Sequence, residues 1–181
     1  MSDRGCIGCT VYVGQSDEML LEISAFRVED NPYEDLAEGY YILNTNISNS
    51  REDHDDMLKN RKAAAYFDPW KFKIERLAKG DVIFLFQSRS GIVALGEADG
   101  RLLKLPYHGK QENPDEEYSM KLLKFQTVAP PLTAAEIRKI TGVNYVFMSV
   151  MFGLDVESGK AIRKAIYDRT TAPSATSANP S

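Results

Sequence analysis

Residues 63–98 read AAAYFDPWKFKIERLAKGDVIFLFQSRSGIVALGEA, and the rest of the chain is arranged around this stretch. Asp68 and Pro69 have the order of an N-cap followed by a first helical residue. Trp70, Ile74 and Leu77 follow at spacings of four and three, which predicts a helix with all three on one face. Lys79-Gly80-Asp81 ends that helix, because Gly80 tolerates the left-handed conformation that helix C-termini favour. The next seven residues, DVIFLFQ, are too β-branched and aromatic over too short a length for a second helix and predict a buried strand. After Ser88-Arg89-Ser90-Gly91, the run from Ile92 to Gly96 predicts a second strand, antiparallel to the first, and this hairpin is the expected core. Gly91 is assigned a turn with positive φ, and Gly96 a close approach or kink within the strand.

Upstream, Ser50 followed by Asp53 is a variant of the capping box and predicts a helix over residues 51–65, with His54 on its surface. Tyr40 to Leu43 reads as a short strand that runs into Asn44-Thr45-Asn46. There the side-chain amides and hydroxyl end the strand by competing for backbone hydrogen bonds. The main domain is expected to begin near Gly39. Before it, Thr10 to Val13 and Leu20 to Val28 read as strands, and residues 29–39 as a linker rich in acidic and turn residues.

Downstream, Arg101 to Tyr107 continues as a strand, and residues 110–117 form a polar loop. Tyr118 to Phe125 is a strand broken by Ala129-Pro130-Pro131. Thr133 with Glu136 is a capping box opening a short helix that Gly142 closes. The apolar run from Asn144 to Phe152 fits a strand or a buried helix. Asp155 caps a last helix through Tyr167, with Val156, Ile162 and Ile166 turned inward. The final TTAPSATSANPS has the composition of a disordered tail.

A chain of 181 residues fits one domain with appendages, and it has no apolar run of the roughly 20 residues a membrane helix needs. The first residues lack the apolar centre of a secretory signal. Two cysteines are too few for a disulfide scaffold, so a soluble, cytoplasmic protein is expected. Cys6 and Cys9 have the spacing of half a zinc site, but there is no second cysteine pair, and the only histidines, His54 and His108, form no ligand motif. The net charge of −4 conceals an asymmetry: residues 1–56 carry 3 Lys/Arg against 13 Asp/Glu, and residues 57–181 carry 19 against 13. Lys59, Arg61, Lys62, Lys71, Lys73, Arg76 and Lys79 concentrate the basic excess where a polyanion would dock, although solvated helix faces have the same look.

The sequence holds no GxSxG, P-loop, HExxH or GxGxxG after a strand, so no catalytic residue, metal ligand or cofactor is assigned. Asp55/Asp56 and Asp115/Glu116/Glu117 are read as solvated surface acids.

The order YYILN, helix, AAYFDPW, helix, KGDVIFLFQS, GIVALGEA resembles the EVE domain of the PUA-like superfamily. The similarity spans about residues 39–167, is most specific at the K-G-D and G-I-V-A-L-G strands, and extends to NYVFMSVMFGLDVESGKAI as a closing strand and helix. Asn44-Thr45-Asn46 stands where better-known members have a Lys-Ser-type turn, and Gln87-Ser88 where they often have His-Ser. Both differences bear on the ligand more than on the fold. The resemblance implies an α+β, PUA-like domain over residues 39–168, with a strongly bent, barrel-like mixed sheet and flanking helices. A strand-containing extension over residues 1–38 would precede it, and a tail over 169–181 would follow.

It also implies non-enzymatic binding of a modified nucleobase, in DNA more readily than RNA, with the base extruded into an aromatic pocket. Such a site needs a stacking face, polar groups for the base edge and basic groups for phosphates. Tyr66 and Trp70 would supply the faces, Asn44, Thr45, Asn46, Gln87 and Ser88 the edge contacts, and Lys71, Lys73 and Arg89 the phosphate contacts. Trp70 also fits a packed core position, so its role stays open at this level. The partner would be nucleic acid carrying a modified base, with any effector output supplied by a separate chain. The alternatives are an RNA-binding or RNA-processing enzyme on the same scaffold, and a protein-interaction domain.

Overall fold

A computed structural model describes residues 39–171. The expected strands at 10–13 and 20–28, Cys6 and Cys9, the linker before Gly39 and the tail beyond 171 lie outside the described residues.

The described chain runs β1 (Tyr40–Asn44), α1 (Arg51–Asn60), β2 (Lys62–Tyr66), a 3₁₀ segment (Trp70–Arg76), β3 (Val82–Gln87), β4 (Gly91–Ala98) and β5 (Leu103–Leu105). A 3₁₀ turn (Tyr107–Gly109), β6 (Glu117–Leu132), α2 (Ala134–Thr141), β7 (Met151–Leu154) and α3 (Val156–Thr171) complete it. The strands join in the order β2-β6-β4-β3-β1-β7, with β5 also on β6. β1 runs parallel to β3, and the other pairings are antiparallel. β6 bends the sheet into a half-barrel. Its first residues pair with β2 and β5, and its later ones with β4. An α+β chain built on a strongly bent mixed sheet with flanking helices is thus the architecture observed.

The expected hairpin is present: Phe84 faces Leu95 and Gln87 faces Gly91 across an antiparallel pair. Gly91 has φ +128, and a Cβ there would lie 2.2 Å from the Leu132 carbonyl oxygen, so no other residue fits the turn. Gly96 lies against β6, where a Cβ would stand 2.8 Å from Leu122 Cβ. The register beside it shifts between Leu95 and Glu97, with Lys124 of β6 at φ +46, which marks a bulge.

Six expectations about elements are corrected. The apolar run from Asn144 to Phe152 is irregular through Val150, with Val146 and Met148 exposed, and only its end enters β7; the strand expected from Arg101 to Tyr107 narrows to β5. The helix predicted over 51–65 stops at Asn60, where Arg61 turns left-handed at φ +50, and Ala63 to Tyr66 become β2. Alanine favours a helix intrinsically, but pairing with β6 and burial on both sides override that preference. The second helix is a 3₁₀ segment without a side-chain cap: Pro69 occupies the N-cap position, and Asp68 pairs with Lys71 Nζ at 3.2 Å. Ala129-Pro130-Pro131 does not break β6, which continues to Leu132 through a second register irregularity between Ile92 and Ala94. There the prolines occupy residues with no ladder partner. Finally, α3 extends through Thr171, so residues 169–171 are helical, and Val156 at its start is exposed.

The caps at Ser50 and Thr133 form as expected: Ser50 Oγ accepts from Asp53 N, and Thr133 and Glu136 make a reciprocal box. β3 is buried on both sides. Val82, Phe84 and Phe86 pack with Tyr40 and Ile42 against Ile137 of α2 and Ile162 and Ile166 of α3. Ile83 and Leu85 pack with Leu43 against Met57, the Ala63–Ala65 run and Ile74.

Candidate nucleic-acid interface

The parallel ends of β1 and β3 bring Asn44 beside Ser88. On the far side, β2 and the chain after it bring Tyr66, Phe67 and Trp70. Between them lies a cleft of about 710 Å³, also lined by residues 48–50, Asp53, Met57, Tyr107 and residues 147–150. Its volume is in the range of small-molecule sites, about 300–1,000 Å³.

Trp70 is 52 % exposed at this cleft, whereas Ile74 is fully buried. The helical period explains the separation. With about 3.6 residues per turn Trp70 would share a face with Ile74 and Leu77, but with three per turn Lys71, Ile74 and Leu77 align instead. Those three are the buried residues of the segment and its cap, and the indole turns outward. Packing of Trp70 into the core, the alternative left open by its position, is therefore not what the chain does. Tyr66 sits deeper, 7 % exposed, with its ring edge-on to Tyr107 at 5.4 Å, and Tyr107 also meets Phe67 at 4.7 Å. Burial, reinforced by the carboxylates of Glu117, Asp56 and Asp53, raises the Tyr66 phenol far above its ordinary pKa, so it stays a neutral donor.

The polar side of the cleft is held in place by its own hydrogen bonds. Asn44 Nδ2 donates to the Phe147 carbonyl at 3.1 Å and reaches Ser88 Oγ at 3.5 Å, while Asn44 Oδ1 accepts from Asn46 N at 3.0 Å. Asn46 Nδ2 donates to Asp53 Oδ2 at 2.8 Å, and Asp53 Oδ1 accepts from Tyr107 OH at 3.0 Å and from His108 Nε2 at 2.8 Å. Asp53 thus ties α1, the strand-end turn and the 3₁₀ turn into one support beneath the aromatic rings.

Two of the residues expected to read a base edge lie elsewhere. Thr45 is fully buried beneath the cleft: its hydroxyl donates to the Phe86 carbonyl at 3.3 Å and accepts from His54 Nδ1 at 2.7 Å. Gln87 follows the inward-facing Phe86 and does not line the cleft. His54, expected on the surface, is buried at 7 % exposure, and burial lowers its pKa.

The expected phosphate contacts also divide. Lys71 is buried, with Nζ 3.2 Å from both Asp68 Oδ1 and Glu116 Oε2 and lying over the Phe72 and Tyr118 rings. Desolvation opposes its charge, but the hydrogen bonds to Glu116 and Asp68 prevail and raise its pKa. It is committed to these partners and is a poor phosphate ligand. Lys73 is half-buried. Arg89 is exposed at the hairpin tip beside Ser88, at φ +68.

Asp56 and Glu117, expected among the solvated acids, are withdrawn from solvent, with Glu117 at 2 % exposure. Together with His108 they place ligand-type atoms within 4.8 Å of one another. Lys62 Nζ already lies between the two acids, 2.5 Å from Asp56 and 2.6 Å from Glu117, and supplies the cation that such a cluster requires. Desolvation raises the Asp56 pKa, but the bond and charge of Lys62 outweigh it and hold the carboxyl below its ordinary value.

Phe67, Tyr107, Phe147 and Met148 were not singled out by sequence. The run Tyr66-Phe67 and the exposed position of Asp68-Pro69 offered a signal for Phe67. Tyr107 and the 147–150 segment reach the cleft only through long-range packing.

No family model matches the chain, and no curated protein matches it. Among solved structures it is similar to a mutant form of the ZmASCH protein of Zymomonas mobilis, at 10% identity and a TM-score of 0.49 over 70% of this chain and 96% of that one. A protein of Pseudomonas syringae is similar at 13% identity and a TM-score of 0.48, over 70% and 99% of the two chains. The human THYN1 protein, solved in complex with 5-methylcytosine-containing DNA, is similar at 15% identity and a TM-score of 0.43, over 75% and 100%.

Proposed function

We propose that this chain binds nucleic acid carrying a modified base, DNA in preference to RNA, and holds the extruded base in the cleft without turning it over. One observation carries the reading. A half-exposed indole, Trp70, and a deeper phenol, Tyr66, share one cleft with Asn44, Asn46 and Ser88, so a flat heterocycle entering it meets aromatic surface and hydrogen-bonding edges together. The residue pattern that resembles the EVE domain points to the same class of ligand. Stacking on an aromatic face contributes about 1–3 kcal/mol per base, and the fixed amide and hydroxyl groups supply the discrimination between bases. Arg89, exposed next to Ser88, and Lys73 serve as the phosphate contacts, because Lys71 is held by Glu116 and Asp68.

The test is a binding panel of short DNA and RNA oligonucleotides with one central 5-methylcytosine, 5-hydroxymethylcytosine, N6-methyladenine or unmodified base, titrated at three salt concentrations. One modified DNA should bind more tightly than its unmodified counterpart and be recovered intact. Its log–log salt slope should be shallow, about −0.7 to −0.9 per phosphate neutralised. Affinity blind to the modification, or unchanged by salt, would remove the reading.

A further inference from the structure

Met148 is 91 % exposed, yet it lines the same cleft as Trp70. A methionine held in water at the lip of an otherwise well-packed site calls for a reason, and its surroundings supply one. The residues on either side are fastened to the end of β1: Asn44 Nδ2 donates to the Phe147 carbonyl at 3.1 Å, and Asn44 N donates to the Val150 carbonyl at 2.8 Å. The Phe147 ring stacks on Phe86 of β3 at 4.1 Å, with the ring planes 6° apart. The backbone is pinned on both flanks while the Met148 side chain projects outward. Val146, 69 % exposed, extends the same apolar tip. From Thr141 to Leu154 there is no Asp or Glu, so this segment brings no negative charge towards a phosphate backbone.

Resting on the base-binding reading, we infer that Met148 is a wedge that enters the base stack of a duplex and fills the space left when the neighbouring base moves into the cleft. The chemistry is suited to it. Extruding a base exposes two stacking faces to water, an unbranched thioether is slim and polarisable, and apolar side chains including methionine are the type that inserts between base steps. Trp70 then stacks with the extruded base inside the cleft, and Met148 occupies its former place. The substrate class is accordingly a modified base within a double strand, since a single strand leaves no gap to fill.

The experiment compares the wild-type chain with Met148→Ala and Met148→Leu on DNA containing 5-methylcytosine, 5-hydroxymethylcytosine or N6-methyladenine, each as a single strand and as a duplex. With the wedge removed, Met148→Ala should bind the preferred duplex about tenfold more weakly while changing single-strand affinity by less than about twofold, because only the duplex step includes unstacking. Met148→Leu should keep most of the duplex affinity. The melting temperature of both variants should match the wild type, since so exposed a side chain contributes little packing. Equal losses on both forms, no loss on either, or a wild-type chain that prefers the single strand would overturn the wedge while leaving the cleft as the base site. A wild-type chain that binds none of these oligonucleotides would overturn the base-binding reading and the wedge with it.

Discussion

The two faces of β3 are equally withdrawn from water, yet they are covered by different kinds of chemistry. On one, Val82, Phe84 and Phe86 meet Tyr40, Ile42 and isoleucines of α2 and α3, and the rings of Tyr40 and Phe84 stack at 6.3 Å. On the other, Ile83 and Leu85 lie beneath small alanines and Met57, and beyond them sit Asp53, His54, Lys62 and Glu117, all buried or nearly so, with Asp53 lining the open cleft. Burying charge is costly unless each group is paired and hydrogen-bonded. The first face has a polar margin too, where Arg163 of α3 pairs with Glu97 at 3.0 Å beside Val82 and Ile166, but no aromatic rings line the smaller cleft there apart from Tyr167. The difference teaches that the helix-covered face holds the sheet together, while the other accepts a costly polar scaffold to hold aromatic rings and amides at fixed positions. Substitutions on the two sides should therefore fail in different ways.

The largest effect is expected where both faces depend on one turn. Gly91→Val would force a β-branched residue into φ +128 and drive its Cβ into the Leu132 backbone. Backbone strain and overpacking together should cost about 2–6 kcal/mol, and binding should fall only in step with the folded fraction. An unchanged melting temperature would show that the hairpin does not turn as described.

That turn was legible in the sequence, and the reason marks where legibility ends. Gly91 and the Thr133/Glu136 box are local devices whose chemistry is set by adjacent residues, and the aromatic, β-branched run of β3 fits no other element of its length. Gly80 does turn left-handed at φ +92, but it does not end the preceding segment, which stops at Arg76 with Leu77 extended. Of the candidate site, Asn44, Asn46, Tyr66, Trp70 and Ser88 line one cleft, while Thr45 and Gln87 do not. The misplaced features all depend on distant partners. The alanines of β2 become a strand only because β6 lies alongside, and β6 runs past its prolines only because bulges accommodate them. His54 is buried by Thr45, and Glu117 is withdrawn against Lys62 from 55 residues away. Whether Trp70 faced the core turned on three residues per turn rather than 3.6, a distinction that spacing alone does not make.

Trp70 is accordingly the residue on which the comparison can be broken most directly. Trp70→Ala should weaken binding of the preferred oligonucleotide by about 1–3 kcal/mol, roughly 5- to 150-fold, through loss of a stacking surface. Its denaturant midpoint should barely move, because half of the side chain is in water. Ile74→Ala, four residues on and fully buried, should do the reverse, costing about 2–5 kcal/mol of stability with little effect on the affinity of the folded fraction. Both quantities are to be measured on each variant. If Trp70→Ala proved as unstable as Ile74→Ala, the indole would be a packing residue and the cleft would lose its principal face.

The smallest expected effect separates the two faces by acidity. His54 is buried below the cleft with its ring donating to Thr45, and burial, aided by the Arg51 charge and only partly opposed by Asp55, lowers its pKa below that of a free histidine. In the unfolded chain it protonates near pH 6.5. Because the folded pKa is the lower one, the unfolded state binds more protons between the two values, and stability rises with pH across that interval. The contribution of His54 is thus fully present above about pH 6.5 and is lost as the pH falls from there towards the folded pKa. The melting temperature should drop between pH 7.5 and 5.5 in the wild type and drop less in His54→Gln, which cannot protonate. Ile137→Val, which trims the helix-covered face without touching a titrating group, should lower both melting temperatures and leave their difference at the wild-type value. An identical pH response in His54→Gln and the wild type would mean that the buried imidazole does not couple folding to acidity, and that this part of the polar scaffold tolerates a charge.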